Sequence, residues 1–288
     1  MSQTIKLFDV RFIAFLFVLL SKPVMSVELT FGVYTSDKPT TMHDKFSPIL
    51  TYIEHKFAER NKEVSLRLKI YASYSEALIG LVNGKVDIAR LGPASYILVK
   101  RQEPGIKILA MEHKQQQRRF SGVFITATEA PFDSLAEVKG KTLAFGDKNS
   151  TIGRYLAQAE LIESGIHACD LKTFRYLNRH DKVALAVANG QYDVGVVKEN
   201  TFDRYAKSRG LKEIGRFSNV TKPWVVRDGF NPQLEDELRS ILLKLDDPEV
   251  LKGLKQSGFF TSEDKDYDFV RQGMRLSAAF THQAENCQ

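Results

Sequence analysis

Two stretches of the chain spell one pattern. Asn83-Gly84-Lys85-Val86-Asp87 recurs as Asn189-Gly190-Gln191-Tyr192-Asp193, each time between an apolar helical run and a short apolar strand. The match reaches outward. Tyr74 stands before the first run where His180 stands before the second, and Tyr96 and Phe202 fall in the same register. Asn-Gly alone is a common helix stop. Correspondence over a whole strand–helix–strand unit goes further and predicts two lobes built alike. Around these units, Leu29 to Tyr34, Ser65 to Tyr71, Val86 to Leu91, Lys141 to Phe145, Leu171 to Tyr176 and Tyr192 to Val197 read as strands. Helical stripes such as Phe46, Ile49, Leu50, Ile53 and Phe57 lie between them. The alternation is that of an α/β fold with mostly parallel, covered sheets. Ligands in such lobes bind beyond the carboxyl ends of the strands. Tyr74, Ser95, Tyr96, Ser150, Thr151, His180 and Glu199 all fall there, and they converge if the lobes face each other.

One turn carries chemistry of its own. After the strand ending at Phe145, the chain runs Gly146-Asp147-Lys148-Asn149-Ser150-Thr151, and then Ile152, Leu156, Ala159 and Ile162 recur at helical spacing up to Gly165. A helix N-terminus has unpaired N–H groups and a partial positive charge, which suits a bound anion. Ser150 and Thr151 add hydroxyl donors. The other reading is a simple cap by Asn149 or Ser150.

Residues 1–26 read as a secretory signal peptide. Lys6 and Arg11 precede the apolar run Phe12 to Leu20, and Val24-Met25-Ser26 offers a cleavage site. The run is short of the roughly 20 residues a membrane span needs. Removing three cations (Lys6, Arg11, Lys22) and one acid (Asp9) lowers the formal charge from +6 to +4. The remaining Lys and Arg are scattered among acids without an aromatic-basic stripe, so no nucleic acid is expected. No His pairs with another His or Cys at zinc spacing, and neither metal nor cofactor is expected. Cys169 and Cys287 do not make a disulfide scaffold, and whether they pair is open.

Four motifs carry a family resemblance. They are Val86-Asp87-Ile88-Ala89-Arg90-Leu91-Gly92-Pro93-Ala94-Ser95-Tyr96, the turn from Phe145 to Thr151, Arg179-His180-Asp181-Lys182-Val183-Ala184, and Thr221-Lys222-Pro223-Trp224. Over residues 28–275 the chain resembles the periplasmic solute-binding proteins of phosphate, phosphite and phosphonate ABC importers. The resemblance implies the type II periplasmic binding protein fold: two α/β lobes joined by two crossover strands and closing on ligand like a hinged trap. Residues 27–125 with 220–288 would form lobe 1 and residues 126–219 lobe 2, with hinges near Val123–Thr126 and Val220–Trp224. Ser150, Thr151 and His180 would hold phosphoryl oxygens from one lobe, and Tyr74 and Tyr96 would contribute from the other. It further implies a non-enzymatic monomer in the periplasm that binds a small anionic solute and passes it to an ABC permease in the inner membrane.

The chain departs from the family pattern in two places. Ile152 stands where Ser-Thr-Ser-Gly would supply another hydroxyl, and Arg154 stands where an aromatic is more usual. In phosphonate binders that take an amino group, acids of the second lobe receive the ammonium. Glu199 is near that place, but Lys198 beside it would oppose an ammonium if it pointed inward. The same closed form could instead dock on a membrane sensor and report its ligand, including one without phosphorus. A hydrolase built on Ser150 and His180 lacks the Gly-x-Ser-x-Gly elbow.

Overall fold

The computed structural model describes residues 26–35 and 39–286; the stretch read as a signal peptide lies outside them up to residue 25. β1 (Val27–Tyr34) is followed by α1 (Pro39–Ala58), β2 (Val64–Tyr71), α2 (Tyr74–Val82), β3 (Ile88–Arg90), α3 (Pro93–Gln102) and β4 (Lys107–His113). Next come β5 (Arg119–Ala127), β6 (Thr142–Phe145), a π turn (Thr151–Leu156) leading into α4 (Ala157–Glu163), β7 (Thr173–Tyr176), α5 (His180–Ala188), β8 (Val194–Lys198), α6 (Glu199–Arg209) and β9 (Leu211–Val220). The chain returns through β10 (Pro223–Val226), α7 (Pro232–Leu243), α8 (Pro248–Leu251) and β11 (Gly258–Phe260), and closes on α9 (Asp268–Asn286). Two mixed sheets result, ordered β11-β4-β10-β3-β1-β2 and β7-β6-β8-β5-β9. Each is built on a parallel trio, β2-β1-β3 in one and β7-β6-β8 in the other.

The repeated sequence pattern has a common physical cause in the two sheets. Asn83 and Asn189 end α2 and α5, and Gly84 and Gly190 both turn the chain at φ +68, a left-handed conformation that glycine adopts without a Cβ clash. The aspartate then grips the central strand. Asp87 Oδ2 accepts from Thr30 N of β1 at 2.9 Å, and Asp193 Oδ2 accepts from Thr142 N of β6 at 2.8 Å. Pairing follows in like manner, with Phe31 opposite Ile88 in one sheet and Leu143 opposite Val194 in the other.

Aromatic rings fill both cores. In the first, Phe31 lies 4.6 Å from Trp224 and 5.5 Å from Phe46, while Phe259 meets Trp224 edge-on at 5.2 Å. Phe46, Ile49, Ile53 and Phe57 are the buried stripe of α1. In the second, Phe280 lies 5.9 Å from Phe145 and 5.5 Å from Phe174. Each such side chain contributes about 1.5–3 kcal/mol through burial.

Strand membership departs from the expected boundaries. β5 belongs wholly to the second sheet, so the first crossover falls at residues 114–118 rather than near residue 126. Val123–Thr126, expected as a hinge, lies in a strand paired with β9 on one edge and largely with β8 on the other. The return crossover is residues 221–222, and the two passages run side by side: Thr221 N donates to Arg118 O at 2.9 Å and Glu112 N to Lys222 O at 3.0 Å. α9 also departs from its expected place in lobe 1. It packs on the second core through Phe280, and Ser277 Oγ donates to Gln158 Oε1 of α4 at 2.6 Å. An apolar stripe says that a helix is covered, not which lobe covers it. Cys169 is disulfide-bonded; Cys287 lies outside the described residues.

Candidate functional site

A cleft with about 510 Å³ of empty space opens where the carboxyl ends of β1, β3, β6 and β8 face each other. Tyr34, Tyr74, Arg90 and the Gly92-Pro93 turn line it from the first lobe. Ser150, Thr151, Ile152, His180 and Lys198 line it from the second, and Asn219 and Lys222 stand at the return crossover. Tyr34 and Tyr74 stack with ring centroids 3.7 Å apart.

The turn after β6 is shaped by backbone contact. Gly146 N donates to Gly153 O at 2.8 Å. A Cβ on Gly153 would meet the Gly146 Cα at 2.8 Å, so neither position has room for a side chain. Asp147 Oδ1 accepts from Asn149 N at 2.7 Å, and burial raises its carboxyl above the usual range. Ser150 caps the helix as one sequence reading has it, its Oγ accepting from Gly153 N at 2.9 Å. That bond uses a lone pair and leaves the hydroxyl proton available to an acceptor in the cleft. Both Arg154 N and Tyr155 N reach the Ser150 carbonyl at 3.2 Å, which opens the helix as a π turn. Gly153→Ala should cost about 1–3 kcal/mol by forcing this backbone contact apart. Thermal unfolding of the variant checks it, and an unchanged midpoint would show that the turn yields freely.

The lobes meet across the cleft. Ala94 N donates to Thr151 Oγ1 at 2.9 Å, and Asn149 Nδ2 donates to Ser75 Oγ at 3.1 Å. A relay runs beside them: Gly92 N donates to the Tyr34 hydroxyl at 2.6 Å, Tyr34 and Ser95 share a bond at 3.2 Å, and Ser95 Oγ donates to Asn149 O at 3.5 Å. Because Ser95 has one proton and spends it on Asn149, Tyr34 must be the donor to Ser95. Burial raises the Tyr34 phenol above its ordinary pKa, which keeps that proton in place.

The crossover side of the cleft is basic. Arg90 is held in two bonds to Glu112, Nε–Oε1 at 2.6 Å and Nη2–Oε2 at 2.9 Å, and Trp224 Nε1 donates to the same Oε1 at 3.0 Å. Burial alone would push the Glu112 carboxyl up, but Arg90, Lys222 and Trp224 hold it below the usual range. Lys222 lies over the Phe120 ring, 4.4 Å from its centroid. Burial, with Arg90 acting in the same direction, holds its ammonium well below the usual lysine pKa.

Of the residues singled out in the sequence, Tyr74, Ser150, Thr151 and His180 line this cleft. Ser95 stands behind it in the relay. Tyr96 does not face it: its hydroxyl donates to Asp264 Oδ1 at 2.6 Å and its ring packs on Tyr267. The tyrosine in the expected place is Tyr34, at the end of β1. Glu199 is turned toward Ser121 N at 3.2 Å and Arg216 at 3.6 Å and borders an adjoining cavity instead. Arg154 points outward, to Lys148 O at 2.9 Å and Thr281 at 3.3 Å, so it does not replace the hydroxyl lost at Ile152. Arg90, Asn219 and Lys222 were not singled out. The Arg-Leu-Gly-Pro and Thr-Lys-Pro-Trp motifs that contain Arg90 and Lys222 were the available signal.

Known proteins resemble this chain over most of its length. The family described as ABC transporter, phosphonate, periplasmic substrate-binding protein matches residues 31–267. The chain is 23% identical over 277 residues to the phosphate-import protein PhnD of Mycolicibacterium smegmatis, spanning 84% of each. It is 26% identical over 265 residues to the phosphonates-binding periplasmic protein of Escherichia coli, spanning 85% of this chain and 75% of that one. Among solved structures, PhnD1 of Prochlorococcus marinus in complex with methylphosphonate is similar with a TM-score of 0.78 at 20% identity, covering 86% of this chain and 97% of that one.

Proposed function

Because the chain belongs to the family of periplasmic substrate-binding proteins of phosphonate ABC transporters, we propose that it captures a phosphorus oxyanion between its lobes and presents it to a membrane permease. The observation that carries this is the lining of the cleft. Hydroxyls of Ser150, Thr151 and Tyr74, the His180 imidazole, the cations Arg90 and Lys198 and the buried Lys222 amine face one space, with Tyr34 behind Tyr74 as part of the relay, and no carboxylate is among the described residues lining it. A phosphonate offers three acceptor oxygens and negative charge, so it takes such donors without a metal. The Ser150–Thr151 helix start and His180 hold the phosphoryl group from the second lobe, and the tyrosines approach it from the first. Contacts such as Ala94 N to Thr151 Oγ1 exist only when the lobes meet. A ligand touching both lobes therefore shifts the population toward the closed form. The permease reads that form, and the work is trapping rather than turnover. The compartment is the periplasm.

The test is a calorimetric titration of ligand-stripped protein with phosphate, phosphite, methylphosphonate, 2-aminoethylphosphonate and sulfate. A phosphorus anion should bind in the micromolar range or tighter. His180→Ala should weaken it about 10–100-fold, the worth of one hydrogen bond to a charged group. Failure of a demonstrably folded protein to bind any phosphorus anion would sink the proposal.

A further inference from the structure

Beside the cleft lies a second cavity with about 570 Å³ of empty space, and the two share Arg90, Phe120, Lys198 and Lys222 as a common wall. Six of the residues around this second cavity are Lys or Arg and two are Glu. Both glutamates are already engaged, Glu112 by Arg90 and Trp224, and Glu199 by Ser121 N and Arg216. Among the described residues, buried polar atoms without a hydrogen-bond partner stand on both sides of this wall: Asn219 Nδ2 and Oδ1 toward the cleft, and Thr221 Oγ1 and Gln256 Oε1 at the second cavity. Asn219 is 0% exposed and Thr221 2%. Buried polar groups are almost always paired, so these unpaired atoms, beside a buried lysine, mark a place for a guest. Among the described residues the carboxylate that acts on Lys222 is Glu112, and both of its oxygens already accept from Arg90.

A bare phosphonate held by Ser150, Thr151 and His180 leaves these groups unanswered. An ammonium side group would be repelled by Arg90 and would disfavour the charged form of Lys222 further, whereas an anionic group would favour it. We propose that the captured solute is a phosphorus oxyanion carrying a second anionic group, a carboxylate on a short chain being the simplest, and that Lys222, the Asn219 amide N–H and the Thr221 hydroxyl receive that group. The proposal rests on the reading of Ser150, Thr151 and His180 as the phosphoryl end.

The test compares methylphosphonate, 2-aminoethylphosphonate, phosphonoacetate and 3-phosphonopropionate, with succinate as the carboxylate-only arm, by calorimetry on ligand-stripped full-length mature protein. One of the carboxylate-bearing phosphonates should bind about tenfold tighter than methylphosphonate, and 2-aminoethylphosphonate should bind more weakly than both. In Lys222→Met the ratio between the carboxylate-bearing ligand and methylphosphonate should fall toward one. Should removal of the buried lysine unfold the chain, Asn219→Ala decides by the same ratio. Equal affinities in the unmodified protein, or an advantage that survives both substitutions, overturns the second-anion assignment while leaving phosphorus capture intact. Binding of succinate with no binding of any phosphorus anion overturns both.

Discussion

Glu112→Gln is expected to destabilise the folded protein by about 3–5 kcal/mol, the usual cost of leaving a buried charge without its partner. Glu112 is 0% exposed, and its carboxylate takes both bonds of the Arg90 fork together with the Trp224 indole. Glutamine keeps the size and can still accept from Trp224, but it presents an N–H to Arg90 and removes the charge that offsets Arg90 and Lys222. The effect should be visible as a lower midpoint in urea without a change in slope. It also has a sign in pH. The folded carboxyl titrates below its ordinary range, so its contribution is full above the unfolded value and is lost as pH falls through the folded one. The glutamine variant should therefore show a shallower loss of stability in acid. A midpoint equal to that of the parent protein would mean that the cluster relaxes or takes in water, and that the site is less rigid than its distances imply.

Ser150→Asp should abolish phosphorus-anion binding while sparing most of the fold. The serine has two tasks that this substitution separates. As a cap it accepts from Gly153 N at 2.9 Å, and aspartate is among the best residues for that role. As a ligand group it must donate, and an ionised aspartate has nothing to donate and repels the anion. Binding should drop by at least about a hundredfold, with the thermal midpoint within a few degrees of the parent. Ser150→Ala makes the opposite division: the cap is lost at about 1 kcal/mol, and binding suffers less than in the aspartate variant. If the aspartate variant still bound phosphonate, Ser150 would be a cap and nothing more.

Much of the fold is written in local chemistry, and that part was legible. The Asn-Gly stop depends only on neighbours in sequence, so it looks alike in both lobes, whereas the grip of Asp87 on Thr30 and of Asp193 on Thr142 spans more than fifty residues and shows only in the structure. The Ser150–Thr151 turn, local like the Asn-Gly stop, was readable for the same reason. What could not be read depends on direction and on partners distant in sequence. Tyr34 ends β1 and Tyr96 lies in the first turn of α3, both near the carboxyl edge of the sheet, yet one side chain lines the cleft and the other reaches Asp264. Nothing in a tyrosine's spacing states which way its ring leaves the backbone. Arg90, Asn219 and Lys222 become a group only when two passages between the lobes lie side by side. The membership of β5 likewise turns on pairing with β8 and β9 across long loops, which an apolar run leaves open.

The placement of α9 has a practical meaning for anyone wishing to watch the protein at work. The described chain begins on β1 in one lobe and ends on a helix seated against the other. Val27 and Asn286, at the start of β1 and the end of α9, therefore ride on opposite jaws. A fluorescent donor and acceptor attached beside these two residues would report each capture as a change in energy transfer, with no label placed near the cleft itself.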